Sequence, residues 1–166
     1  MSKEPKLTIE LVPTTCFFSN VRSELPKKEW DRLRRASYDA AGDRCEICKA
    51  SGKTQGYKHN VECHEIWEYD DENRIQYLRG LISLCPRCHQ VKHIGRTTVI
   101  GLQRVAFKHL EKVNGWNHRE VVDYVAASFL IHRYRSQFEW KLDVNILEEQ
   151  FGVDNKLITE AHKKRG

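Results

Sequence analysis

Apolar and polar positions alternate through Leu7-Thr8-Ile9-Glu10-Leu11-Val12. That alternation predicts a short strand ending at Pro13. Residues 14–25 lose the pattern and read as irregular, with Phe17 and Phe18 as isolated aromatics. Pro26 opens a predicted helix over residues 26–41, because proline suits a first helical turn. Trp30, Leu33, Tyr38 and Ala41 form its apolar stripe, and Gly42 stops it. Residues 51–60 are rich in Ser, Gly, Lys, Asn and His and read as a loop. A second strand is predicted over residues 61–69. The polar turn Asp70-Asp71-Glu72-Asn73 follows, and its acidic run reads as solvated loop rather than a metal site. Residues 75–84 are apolar enough to pack across a core, and a helix is expected from His89 to Gly95.

Beyond residue 97 the spacing is mainly helical. One amphipathic segment spans 99–113 and ends at Asn114-Gly115. A second spans 118–140, capped at or beside Asn117, with Val122, Val125, Phe129 and His132 in helical register. A short final helix is expected over 144–151, before Gly152, and the tail closes with Lys163-Lys164-Arg165. No internal repeat or low-complexity linker interrupts the chain. The pattern divides into an N-terminal strand and helix (1–44), a middle region (45–95) and a helical C-terminal region (96–166), expected to pack as one α+β domain.

The composition, 40% hydrophobic and 31% charged over 166 residues, suits a globular domain of ordinary size. No apolar run approaches the roughly 18 residues of a membrane span. The opening Met1-Ser2-Lys3-Glu4-Pro5 lacks the apolar stretch of a secretory signal, so a cytoplasmic, reducing setting is expected. A disulfide framework is then a poor reading of the six cysteines. The net charge is +5. Residues 45–95 are balanced and the basic excess lies on the flanks, which fits contact with nucleic acid. Arg32, Arg34 and Arg35 read as a solvated helix face, with a basic patch near the site as the other reading.

Four cysteines carry the strongest chemical signal. Cys45 and Cys48 form one CxxC pair, and Cys85 and Cys88 form another. Two such knuckles, with a segment between them that folds back, place four thiolates at the corners of a tetrahedron suited to Zn²⁺. Cys16 and Cys63 stand alone. His89 and His93 are four residues apart, one turn on the same face of a helix. With His64 from the middle segment they could hold a second divalent cation. His109, His118, His132 and His162 lack such a context and read as ordinary surface or core histidines. Trp116, Trp140, Phe129 and Tyr134 read as core rather than a dimer face. Tyr57, Trp67 and Tyr69 read as packing beside the knuckles rather than base-stacking groups.

Taken together, Cys-x-x-Cys, then Val61-Glu62-Cys63-His64-Glu65-Ile66, then Leu84-Cys85-Pro86-Arg87-Cys88-His89 and Lys92-His93, resemble the HNH endonuclease family over about residues 45–95. The resemblance implies a ββα-metal core with a four-cysteine zinc staple. It implies a divalent cation that grips the scissile phosphate, and DNA as substrate. It puts His64 on a metal-ligand position, Glu65 on the general-base position, and His89 and His93 as further ligands of the catalytic cation. The family's usual base is histidine, and its Asn position falls on Gly80 here, with Asn73 too far back to replace it without a rearranged loop.

Several arrangements could supply the base: Glu65 itself, His64 with Glu62 or Cys63 as ligand, or His59 from the preceding loop. Mg²⁺ or Mn²⁺ suits an oxygen-rich shell, and Zn²⁺ or Ni²⁺ suits three imidazoles. The helical C-terminal half and the basic N-terminal helix are the surfaces expected to grip a DNA backbone. Three function classes follow: an HNH-type endonuclease, a catalytically inactive zinc-stapled module that binds nucleic acid, and a module that binds a protein partner in a phage or bacterial defence setting.

Overall fold

The computed structural model describes residues 4–16 and 20–163; Phe17, Phe18, Lys164 and Arg165, and the side chains of His162 and Lys163, lie outside the described residues. The chain runs through helices α1 (Val21–Glu24) and α2 (Lys27–Ala40), a 3₁₀ turn (Gly52–Gln55), strands β1 (Glu62–Asp70) and β2 (Ile75–Leu84), and helices α3 (Pro86–Lys92), α4 (Ile94–Val99), α5 (Gln103–Asn114) and α6 (His118–Arg135). Strand β3 (Lys141–Asp143) and helices α7 (Ile146–Glu149) and α8 (Asn155–Lys163) complete it. The fold is α+β.

Strands β1 and β2 form an antiparallel hairpin, with Glu62 opposite Leu84 and Asp70 opposite Ile75. The Asp70 carboxylate accepts the backbone N–H groups of Glu72 and Asn73, at 3.0 and 2.9 Å, and closes the turn as an Asx-type cap. The register slips between Ile66 and Trp67, which face Gly80 and Leu78, so Arg79 is the extra residue of a bulge. Strand β3 pairs parallel with the start of β2, giving the order β1-β2-β3.

The hairpin buries both faces. On one face Cys63, Trp67 and Leu78 pack with Trp30 and Leu33 of α2, and with Val144 and Leu147 near α7. On the other, Leu84 and the knuckle cysteines pack with Val91 of α3, Leu110 of α5 and Val121 of α6. Alternation along β1 therefore sends adjacent side chains into different halves of the molecule.

Residues 7–12 run extended but join no sheet. Their backbone is held by helix side chains and by one backbone bond, from the Glu10 N–H to the Lys92 carbonyl, instead. Asn114 accepts the Leu7 N–H at 2.9 Å and donates to its carbonyl at 2.9 Å, and the Tyr124 hydroxyl accepts the Ile9 N–H at 3.0 Å. The helical segment expected over 99–113 is divided, because Gly101 adopts φ 82° and turns the chain between α4 and α5. The segment expected over 118–140 stops at Arg135. Trp140 lies beyond the helix, where its indole N–H donates to the Arg135 carbonyl at 2.9 Å. Among the described residues no helix is long and apolar enough to cross a membrane.

Candidate metal centres

The first centre forms where the loop after α2 meets the junction of β2 and α3. Lys49 at φ 65° turns the first knuckle tightly, and the Cys45 backbone N–H donates to the Ala50 carbonyl at 2.9 Å. Cys85 caps α3, its sulfur accepting the Cys88 N–H at 3.4 Å, and Cys48 repeats that contact to Cys45 at 3.5 Å. The four sulfurs lie within 4.8 Å of one another, with Cys48 and Cys85 3.5 Å apart. Sulfurs bound to one Zn²⁺ at about 2.3 Å stand roughly 3.8 Å apart, so the cluster could hold such an ion. The thiols also perturb one another. Hydrogen bonds among them pull Cys45 and Cys85 toward the thiolate and push Cys48 and Cys88 toward the thiol. A bound divalent cation stabilises all four as thiolates. His109 Nε2 lies 3.2 Å from the Cys88 sulfur, a contact that spacing along the chain gave no reason to expect.

The second cluster lies at the other end of α3. The imidazole nitrogens of His64, His89 and His93 fall within 4.8 Å of one another. His89 Nε2 and His93 Nε2 are 3.1 Å apart. Two nitrogens bound to one ion at about 2.0–2.1 Å stand roughly 3 Å apart, so this pair matches adjacent positions on a metal. His89 donates from Nδ1 to Glu62 at 2.5 Å, which leaves Nε2 free for the cluster. His64 Nε2 lies 2.7 Å from the Glu10 carboxylate. His64 Nδ1 is buried and has no hydrogen-bond partner among the described residues. That orphaned lone pair, among three convergent imidazoles, fits a divalent cation.

The charges around the cluster favour metal-ready imidazoles. Desolvation, helped by the neighbouring His89 and His64, pushes the His93 pKa down to about 3. Burial opposes ionisation of Glu10, but its contacts with His64 and Lys92 hold its pKa below the usual carboxylate range. Glu62 behaves likewise through His89 and His59. His59 Nε2 meets the second oxygen of Glu62 at 2.9 Å, so one carboxylate holds both His89 and His59.

Glu65 lies apart from the trio. It follows His64 on β1 and projects to the opposite face, where its Oε1 accepts the Val21 N–H at 3.0 Å and caps α1. At Gly80 an added Cβ would stand 3.9 Å from Ile66 Cδ1, and Asn73 remains in the hairpin turn, donating from Nδ2 to Asp70 at 2.8 Å. Of the arginine stripe on α2, Arg32 pairs with Glu29 and Arg34 pairs with Asp31.

His89 and His93 line a cleft of about 920 Å³ between α2, β1 and α4. Arg22, Lys27, Arg34 and Arg96 give its walls cationic groups, and Asp31, Glu62 and Glu65 add carboxylates. Tyr57, expected to pack beside the knuckles, lines the cleft, and its hydroxyl accepts from Gln90 at 2.7 Å. Trp67 is in the core and Tyr69 packs edge-on against Trp140 at 5.2 Å. No protein-family model, curated protein or solved structure matches the chain.

Proposed function

We propose that the chain is an HNH-type metal-dependent endonuclease that hydrolyses phosphodiester bonds in DNA. On this reading Cys45, Cys48, Cys85 and Cys88 hold a structural zinc ion, and β1, β2 and α3 form the ββα-metal core. His64, His89 and His93 hold a second divalent cation. The observation that carries the proposal is the orphaned Nδ1 of His64, buried beside two more imidazoles, His89 and His93, that line a cleft of mixed charge. Three nitrogen donors favour a borderline cation such as Zn²⁺ or Ni²⁺, with Mn²⁺ or Mg²⁺ acting if water and phosphate oxygens complete the shell. When bound, the cation supplies Lewis acidity to the scissile phosphate and to the leaving 3′ oxygen.

The chain's own groups do the rest. Arg22 and Arg96 attract the phosphodiester backbone into the cleft, with Lys27 and Arg34 beside them on the wall shared with Asp31. Glu62 accepts the Nε2 proton of His59, so the Nδ1 lone pair of His59 is free to act as general base. His59 takes a proton from water, the resulting hydroxide attacks phosphorus, the P–O3′ bond breaks, and the 3′ alkoxide takes a proton from solvent water. Glu65, engaged in capping α1, is the competing base.

The test is nicking of supercoiled plasmid with Zn²⁺, Ni²⁺, Mn²⁺, Mg²⁺ or EDTA. Cation-dependent nicking is expected, abolished by His89→Ala. His59→Ala should lower the rate by about 10²–10⁴-fold. Glu65→Gln, which keeps an acceptor for Val21, should leave the rate within a few fold. Loss with Glu65→Gln and not with His59→Ala would transfer the base role to Glu65. No nicking with any cation, while salt-sensitive DNA binding persists, would favour the second reading, a binding module on a retired nuclease core. Glu65's structural engagement is the observation behind that reading.

A further inference from the structure

Glu10 lies in the extended N-terminal segment, outside the stretch from Cys45 to His93 that carries the nuclease-like motif. It nonetheless reaches the back of His64. Its Oε2 is 2.7 Å from His64 Nε2, and its Oε1 accepts from Lys92 Nζ at 2.8 Å. Lys92 is only 4% exposed, and its ammonium also donates to the Thr8 hydroxyl at 2.7 Å. The Glu10 backbone N–H donates to the Lys92 carbonyl at 3.2 Å, so segment and helix are tied by three hydrogen bonds.

This geometry fixes where the protons are. A buried ammonium 2.8 Å away keeps Glu10 a carboxylate, which has no proton to give. The short contact to His64 therefore needs the proton on Nε2. In the neutral ring the remaining nitrogen, Nδ1, then holds a lone pair, and it is the buried atom without a partner among the described residues. A buried nitrogen without a hydrogen-bond partner is open to a metal ion. The His64 ring centroid lies 5.3 Å from that of His89 and 5.1 Å from that of His93. Glu10 itself is not among the converging side chains.

We infer that Glu10, held by Lys92 and Thr8, is a positioning residue that sets the His64 tautomer so that His64 meets the divalent cation through Nδ1. His89 is held in the opposite sense: Glu62 takes its Nδ1 proton and leaves Nε2. The cluster is thus completed by a segment outside the ββα core. This inference rests on the second cation of the proposed function.

Two measurements test it. Long-range ¹⁵N–¹H correlation spectra of the zinc-stapled wild-type protein, before a second cation is added, should show the His64 proton on Nε2. A proton on Nδ1 would overturn the inference without any variant. Glu10→Gln keeps a carbonyl oxygen for Lys92 but turns an NH₂ group toward His64 Nε2, forcing the proton to Nδ1. Cation uptake by calorimetry, with the four-cysteine site already loaded, should then weaken by about 10–100-fold. Unchanged affinity in Glu10→Gln, with the wild type taking up a second cation, sinks the inference alone. A wild type that takes up one cation per chain, unaltered by His89→Ala, removes the second-cation reading, and the inference about Glu10 with it.

Discussion

An N–H···S hydrogen bond withdraws electron density from a thiolate and lowers its tendency to be protonated away from a metal. His109 is placed to make one to Cys88 at 3.2 Å. Replacing His109 with Phe removes the donor and keeps an aromatic ring of similar breadth on α5. We expect zinc to be lost to a chelator about 10-fold faster, followed with a chromogenic zinc dye, while His109→Gln, which can still donate, falls between. Equal release rates for all three proteins would show that the contact has no bearing on the metal. His109 also marks what spacing leaves unread. The cysteines were legible because each pair sits three residues apart in a knuckle, and His89 with His93 because four residues make one helical turn. His109 is 21 residues beyond Cys88 and Glu10 is 54 before His64. Contacts of that separation exist only once α5 and the N-terminal segment have docked. Glu65 shows the converse: adjacency to His64 along the chain becomes opposition across β1.

At the scale of elements, the long amphipathic segments were readable and the short ones only in part: the short helix expected over 144–151 is α7, while β3 and α8 went unread. The strand expected over 61–69 became β1, and the apolar run before Cys85 became β2. Strand β3 has three residues and is anchored by a bond from the Lys141 N–H to the Arg74 carbonyl at 2.8 Å, so a neighbour creates it rather than its own pattern. The segment at residues 7–12 has a strand's alternation but finds helix side chains, not a strand edge. The loop over 51–60 hides a close approach. A Cβ on Gly52 would collide with the His59 carbonyl and come within 2.9 Å of the Pro86 ring. Only glycine lets this loop lie against the start of α3, with Tyr57 on the cleft and His59 against Glu62. Gly52→Ala should therefore destabilise the protein by about 1–3 kcal/mol, read as a lowered Tm, through overpacking against backbone. It should also loosen the contact of His59 with Glu62, read as greater mobility of the His59 ring by NMR. A Tm within a degree of wild type would show that the loop yields at no cost.

Across the whole molecule, the four-cysteine centre and the histidine trio depend on each other unequally. Helix α3 has only 7 residues, with Cys85 as its cap, Cys88 and His89 within it and His93 just past its end. Its first turn is tied to the loop after α2 through the cysteines, and Cys45, Cys85 and Cys88 belong to one of the two cores. A structural zinc ion of this kind contributes folding free energy on the order of 10 kcal/mol, and domains of this size have a net stability of about 5–15 kcal/mol. Extracting an ion held there would remove most or all of the margin, and the helix that carries His89 and His93 would lose its anchor. His89 and His93 sit toward the far end of the same helix, and their return ties are single side-chain contacts: His89 to Glu62 of β1, and His64 of β1 to Glu10, which is held by Lys92. Strong chelation should therefore abolish cooperative thermal unfolding and uptake of a second cation together. His89→Ala should keep the zinc, with a Tm within a few degrees of wild type, and lose only the second cation. The check is circular dichroism melting beside metal analysis of both proteins, with and without chelator. A cooperative melt that survives complete zinc removal would mean that the two apolar cores suffice by themselves, and that the cysteine centre serves some purpose other than holding α3 in place.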